Sequence, residues 1–250
     1  MNRLLPVWIL ASGLLSAQGA FDLHASASAK VRKGAPLFLD ALVTLRQEAA
    51  ARIELKDGRN WPAALQVRLL DSSGRETPVE WELLGTAEGA LQFGDDALEA
   101  GALFGLGPDA TAQLAAGEYT LTAQLDTGSL AAAGAWAGRA VAPTTRILVL
   151  ESGAEPSENE AVFEKRCRAR WLALHDGREQ ALALLEEILA SNPDHLDVLL
   201  DKADLLTGLQ RTEEAAAVLN AALARFRAKN PKATHPPREI LRRLHAAGAA

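Results

Sequence analysis

The chain has 250 residues, 48% hydrophobic and 23% charged, a composition that excludes a disordered chain and leaves room for two domains. A net charge of −6 gives no sign of the basic stripe that nucleic-acid binders carry, so no nucleic-acid partner is expected. One cysteine, Cys167, excludes an internal disulfide, and aromatics at 5% leave the core to Leu, Val and Ala.

At the start, Arg3 precedes an apolar run from Leu4 to Leu15, followed by the small residues Ser16, Ala17, Gly19 and Ala20. That is the three-part layout of a secretory signal peptide. Small residues at Ala17 and Gly19 place cleavage after Gly19, with cleavage after Ala20 as the alternative. A spanning helix needs about 20 apolar residues, and this run is shorter and broken by Pro6, Ser12 and Gly13. The expectation is a signal peptide at 1–19, a periplasmic or secreted protein, and no membrane span after cleavage.

From 20 to 150 the pattern has the period of strands. Leu37, Leu39, Ala41, Val43 and Leu45 alternate with other residues, as do Leu65, Val67 and Leu69, then Val79, Trp81 and Leu83, then Tyr119, Leu121, Ala123 and Leu125. Asp71-Ser72-Ser73-Gly74 supplies a turn, and Arg146 to Leu150 a last apolar run. Several short strands between turn signals predict a β-sandwich or barrel. Gly85 to Gly107, rich in Gly, Ala and acids, reads as a surface loop; its Asp95, Asp96 and Glu99 have the oxygen chemistry of a calcium site but not the spacing. Leu114-Ala115-Ala116-Gly117-Glu118-Tyr119-Thr120-Leu121 resembles the start of the next-to-last strand of immunoglobulin-like and fibronectin-like domains. The resemblance implies a sandwich of that kind, with Tyr119 bonded back to the main chain at a tight corner. Trp61, Trp81 and Trp136 are expected as core anchors, with a sugar-stacking platform as the alternative.

Residues 151–160, with Gly153, Pro156 and four glutamates, read as a linker. Beyond it the apolar positions coincide after a shift of 34 residues: Val162 with Leu196, Ala169 with Ala203, Trp171 and Leu172 with Leu205 and Leu206, Ala181 with Ala215, Leu185 with Leu219. Pro193 closes the first unit. This period, with small residues where paired helices meet, resembles tetratricopeptide repeats. The pattern departs where a loop glycine is usual, at Asp176 and Gln210, and where a large apolar residue is usual, at Arg168 and Lys202. Pro236-Pro237 opens a capping helix through Ile240, Leu241 and Leu244. The architecture expected is multidomain β plus α: an antiparallel β-sandwich at 20–150, then an α-α helical-hairpin repeat domain at 161–250.

That resemblance implies a concave face that binds a protein or peptide partner, carried here by Phe163, Arg166, Arg170, Asp197, Leu200 and Asp204. The plainer expectation is that Arg166 and Arg170 pair with Asp197 and Asp204 on the neighbouring helix. No zinc HExxH, nucleophile elbow or phosphate loop occurs, so no enzyme activity, catalytic residue, metal or cofactor is expected. His175 reads as a solvated ring near a helix end, Glu80 and Glu82 as an exposed strand face, and Cys167 as a small apolar filler. The function expected is an exported interaction or scaffold module; the alternative is carbohydrate or cell-wall binding through the sandwich.

Overall fold

The structure is a computed structural model and describes residues 20–46, 51–86, 90–94, 98–153, 155–232 and 235–246. The expected signal peptide and the acids Asp95 and Asp96 lie outside these residues. In chain order the strands are β1 Phe21–Ala27, β2 Lys30–Arg32, β3 Leu37–Leu45, β4 Ala51–Ile53, β5 Leu65–Asp71, β6 Glu76–Thr77, β7 Glu82–Thr86, β8 Leu91–Phe93, β9 Glu99–Leu106, β10 Gly117–Asp126, β11 Arg139–Val141 and β12 Thr145–Leu150. The helices are α1 Pro108–Gln113, α2 Glu158–Leu174, α3 Arg178–Ser191, α4 Leu196–Gly208, α5 Thr212–Lys229 and α6 Arg238–Ala246. No helix among the described residues is long and apolar enough to cross a membrane.

Two sheets face each other. One has the order β1-β3-β9-β7; the other runs β2-β12-β10-β5-β6, with β11 also on β10, and β4 pairs with β8 apart from both. This is the strand order of an immunoglobulin-like sandwich, four strands against a sheet built on the next-to-last strand. Pairing is antiparallel throughout except at β2, which runs parallel to β12. The first strand thus pairs in one sheet as β1 and its continuation joins the other as β2, which ties the two sheets at their margin. Between them lie the inward residues of β3 (Leu37, Leu39, Ala41, Val43) and of β10 (Tyr119, Leu121, Ala123, Leu125). Their period of two puts every second side chain in the core.

The stretch expected as a surface loop contains β9, an inner strand paired with β3 and β7. Glycines at 101 and 105 lower strand propensity and hid it; Ala102, Phe104 and Leu106 are nonetheless buried at alternate positions. Conversely, the expected strand around Trp81 begins only at Glu82.

Tyr119 makes the corner. Its hydroxyl donates to the Ala115 carbonyl at 3.0 Å, and Gly117 has φ +146°, a conformation that L side chains rarely adopt. Trp61 and Trp136 are 1% and 6% exposed inside the sandwich and so offer no face to a sugar; Trp81 packs against the same core.

The helices form two antiparallel hairpins, α2–α3 and α4–α5, followed by α6. Ala169, Ala181, Ala203 and Ala215 are all buried where the helices approach closely. At the two loop positions without glycine, Asp176 and Gln210 take φ +63° and +62°: the turn geometry of the repeat is kept although its usual residue is not. α6 buries Ile240 and Leu244 against the last hairpin and leaves Leu241 exposed. α2 begins at Glu158, so the linker is shorter than 151–160. Ser157 and Glu160 form a capping box, each side chain bonded to the other's backbone N–H.

Candidate functional site

The face of α2 that would meet a preceding repeat meets the sandwich instead. Phe38 of β3, Gly105 of β9 and Glu82 of β7 are register neighbours, a single row across the outer face of the four-stranded sheet. Arg170, Trp171 and His175 of α2 and its C-cap lie on that row one to one. The Arg170 guanidinium carbon sits 4.8 Å from the Phe38 ring centroid, and its Nη2 is 4.0 Å from Asp40. The Trp171 indole lies over glycines. A Cβ at position 105 would come within 2.7 Å of its Cζ3, and one at position 107 within 2.9 Å of its Cζ2. Only glycine leaves room for the ring at either place.

His175 stacks on Trp171 with ring centroids 4.1 Å apart. Its Nδ1 is 2.8 Å from the Trp171 carbonyl and its Nε2 is 3.0 Å from a Glu82 carboxylate oxygen. Both partners are acceptors, so only the imidazolium satisfies both with N–H donors. The Trp171 carbonyl, together with Glu82 and against some desolvation, raises the His175 pKa above the ordinary histidine value. Glu82 is therefore a docking residue rather than part of a free strand face, and His175 is engaged rather than merely solvated.

At the other end of α2, Arg32 Nε donates to Glu164 at 2.9 Å and Nη1 to the Glu151 carbonyl at 3.2 Å, while Lys30 Nζ donates to Glu160 at 3.2 Å. The Ser157 backbone and hydroxyl donors, and then Lys30, pull the Glu160 carboxyl down to about 2. Ion pairs at both ends and an aromatic seat between them hold the helical unit on the sandwich.

Beside this contact lies a cleft of ≈ 640 Å³ with walls from both units: Ser26, Ser28, Phe38 and Asp40 from the sandwich, and α2, α3 and α4 opposite. Four of the six residues expected on the concave face line it: Phe163, Arg166, Arg170 and Asp204. Phe163 is 45% exposed. Arg166 pairs with Asp201 at 2.8 Å and with Asp197 at 3.3 Å, so Asp197 stands beside the cleft as the partner of a cleft residue. Arg170 pairs with Asp40 of the sandwich rather than with Asp197 or Asp204. Asp204 accepts from Nε and Nη2 of Arg243 on α6, at 2.8 Å each. Leu200 corrects the expectation: it is 8% exposed and turned into the helical core. The reason is position, since α4 packs against α3, α5 and α6 and needs a wider apolar stripe than a helix with one open side.

Cys167 also lines the cleft, and burial pushes its thiol up to about 11, which keeps it protonated and unreactive at neutral pH. Among the described residues no group of three or more His, Cys, Asp or Glu is placed to hold a metal ion. The sandwich wall was not foreseen. One signal was available: Trp171 holds the repeat position of Leu205, and Gly105-Leu106-Gly107 is a glycine pair at a strand end.

A tetratricopeptide repeat model matches residues 178–233. No curated protein matches the chain. Among solved structures it is similar to the CARDB domain of a Pyrococcus furiosus protein, with 13% identity and a TM-score of 0.29 over 52% of this chain and 94% of that one. It is similar also to a family 123 glycoside hydrolase from Clostridium perfringens, with 11% identity and a TM-score of 0.28 over 56% of this chain and 29% of that one. Likenesses of that size say nothing of activity, and the sandwich stands on its own strand order. The protein thus carries, over residues 178–233, a tetratricopeptide repeat segment set behind an immunoglobulin-like β-sandwich.

Proposed function

We propose that this protein is an exported, non-enzymatic interaction module that holds a segment of a partner protein in the cleft between its helical repeats and its sandwich. The observation that carries this reading is the cleft itself, with Phe163, Arg166, Arg170 and Asp204 on one side and Phe38 and Asp40 on the other. Tetratricopeptide repeats serve protein–protein contact, and a cleft of this size matches the range, about 300–1,000 Å³, in which proteins seat ligands. Export rests on the layout of residues 1–19.

The test is site-specific photo-crosslinking. A photoreactive phenylalanine analogue at Phe163 is compared with one at Val141, which is exposed on the sandwich away from the cleft. The reading expects one discrete crosslinked partner from position 163 and none from position 141, among proteins of the exported fraction. No adduct at 163, or the same adducts from both positions, sinks it.

A further inference from the structure

The charged side chains of the cleft wall already have partners. Arg166 is bonded to Asp201 and Asp197. Arg170 lies on Phe38 beside Asp40. Arg178 donates to the Gly208 carbonyl at 2.8 Å, at the negative end of α4. Of the carboxylates, Asp40 and Asp201 face these arginines and Asp204 faces Arg243. Three arginines and three aspartates line the cleft and their formal charges cancel. Breaking the pairs of Arg166 or Arg243, whose side chains are 26% and 21% exposed, to receive a charged ligand would leave an ion without its counter-charge at a partly desolvated site; the half-exposed Arg170–Asp40 pair is held more by the Phe38 ring than by its charge.

What is left open beside these ions is apolar and small. Ala173 of α2 and Gly208 at the end of α4 are the accessible part of a floor whose base is the buried Ala169, Leu185 and Leu205, with the exposed Phe163 at one margin and the edge of the largely buried Phe38 on the sandwich wall. The cleft is continuous with the Trp171 contact through Phe38, whose ring centroid is 6.2 Å from that of Trp171.

We infer that the cleft selects a neutral segment of a partner protein with an apolar side chain as its anchor, gripped between the repeat floor and the Ser26–Ser28 wall of the sandwich. This rests on the reading of the cleft as a partner site and adds two things to it: the chemistry of the occupant, and the sandwich as half of the grip. Affinity then comes from apolar burial, which salt does not screen, and binding requires the two units to be docked.

The experiment is selection of random peptides displayed on phage against the immobilised protein. Enriched peptides are then measured against the wild type and two variants, Ala173→Phe, which fills the floor, and Ser28→Trp, which fills the sandwich wall, both checked for fold by circular dichroism. The inference expects uncharged sequences with a Leu, Met or Phe anchor. Their affinity should change by less than about threefold from roughly 50 to 500 mM salt, and both variants should lose about tenfold or more, the order expected for an excluded apolar anchor. Enriched peptides rich in Asp and Glu, or in Lys and Arg, with affinity collapsing in salt, overturn the neutral occupant while leaving the cleft as the partner site. Binding lost in Ala173→Phe but kept in Ser28→Trp overturns the shared grip. Peptides indifferent to both variants, or none at all, overturn this inference and the cleft reading together.

Discussion

Trp171 belongs to neither hydrophobic core; it lies between the sandwich and the helices, on Gly105 and Gly107. Trp171→Ala therefore acts on docking and not on the folding of either unit. A fully buried tryptophan covers up to about 250 Å²; taking half of that for a partly buried ring, at about 25 cal/mol/Å², gives about 3 kcal/mol. The stack on His175 adds about 0.5–1 kcal/mol by analogy with aromatic pairs. What remains after the substitution is a set of ion pairs, of which the exposed ones contribute about 0–1 kcal/mol each. A loss near 3 kcal/mol is about a hundredfold in the docking equilibrium. Small-angle scattering should show a larger radius of gyration for Trp171→Ala, and proteolysis should cut faster within residues 151–157, while far-ultraviolet circular dichroism stays unchanged. Unaltered scattering and cleavage would mean that the ion pairs suffice. Loss of helix signal would mean that Trp171 is part of the repeat core after all. Either result refutes the assignment.

His175 makes the same contact dependent on pH. The Trp171 carbonyl, four residues back in the same helix, raises the value first, and docking adds Glu82, which favours the imidazolium further; the Glu82 contribution is full below the ordinary histidine value of 6.5 and is lost as pH rises through the raised docked value. Cleavage of the linker should therefore quicken in the wild type as pH rises past the ordinary histidine value, and lose that dependence in Glu82→Gln. Glu160 works in the opposite sense. Its carboxyl is held down to about 2, so the capping box and the Lys30 pair are intact above the ordinary glutamate value of 4.5 and are lost as pH falls toward 2; a carboxyl chemical-shift titration of Glu160 that shows an ordinary midpoint would dismiss the box. Gln210→Gly relieves a left-handed non-glycine residue. The relief of about 1–2 kcal/mol, less about 0.5–1 kcal/mol of added chain entropy, should raise stability in urea by about 0–1.5 kcal/mol, and any loss would count against the turn. Tyr119→Phe leaves the Ala115 carbonyl without its donor. It should cost the sandwich about 1–3 kcal/mol, measured by thermal melting, and a neutral result would remove the corner from the account of stability.

Where a signal is local, the chain announces it. Alternation in Leu37–Leu45 matches β3 from end to end, because a strand with one buried face repeats every two residues. The 34-residue echo of Ala169 and Ala203, and of Ala181 and Ala215, stands for paired helices because only small side chains let them approach. Legibility fails where glycine is chosen for what lies above it. Gly105 reads as a loop residue, yet it is buried in β9 because Trp171 occupies the space of its side chain. Leu200 and Phe163 look alike as apolar positions on first helices, but α4 has neighbours on more sides than α2, so one is core and the other is exposed.

By itself the sequence determined the two architectures, their order, the corner at Tyr119 and the repeat with its capping helix, since each follows from periodicity and local backbone chemistry. Only the tertiary structure decided that α2 lies on the sandwich along the row Phe38–Gly105–Glu82, that Arg170 turns to Asp40, and that the cleft has one wall from each unit. Those contacts join residues far apart in the chain, 93 positions in the case of His175 and Glu82, and no local period records which faces will meet when both are already complete folds.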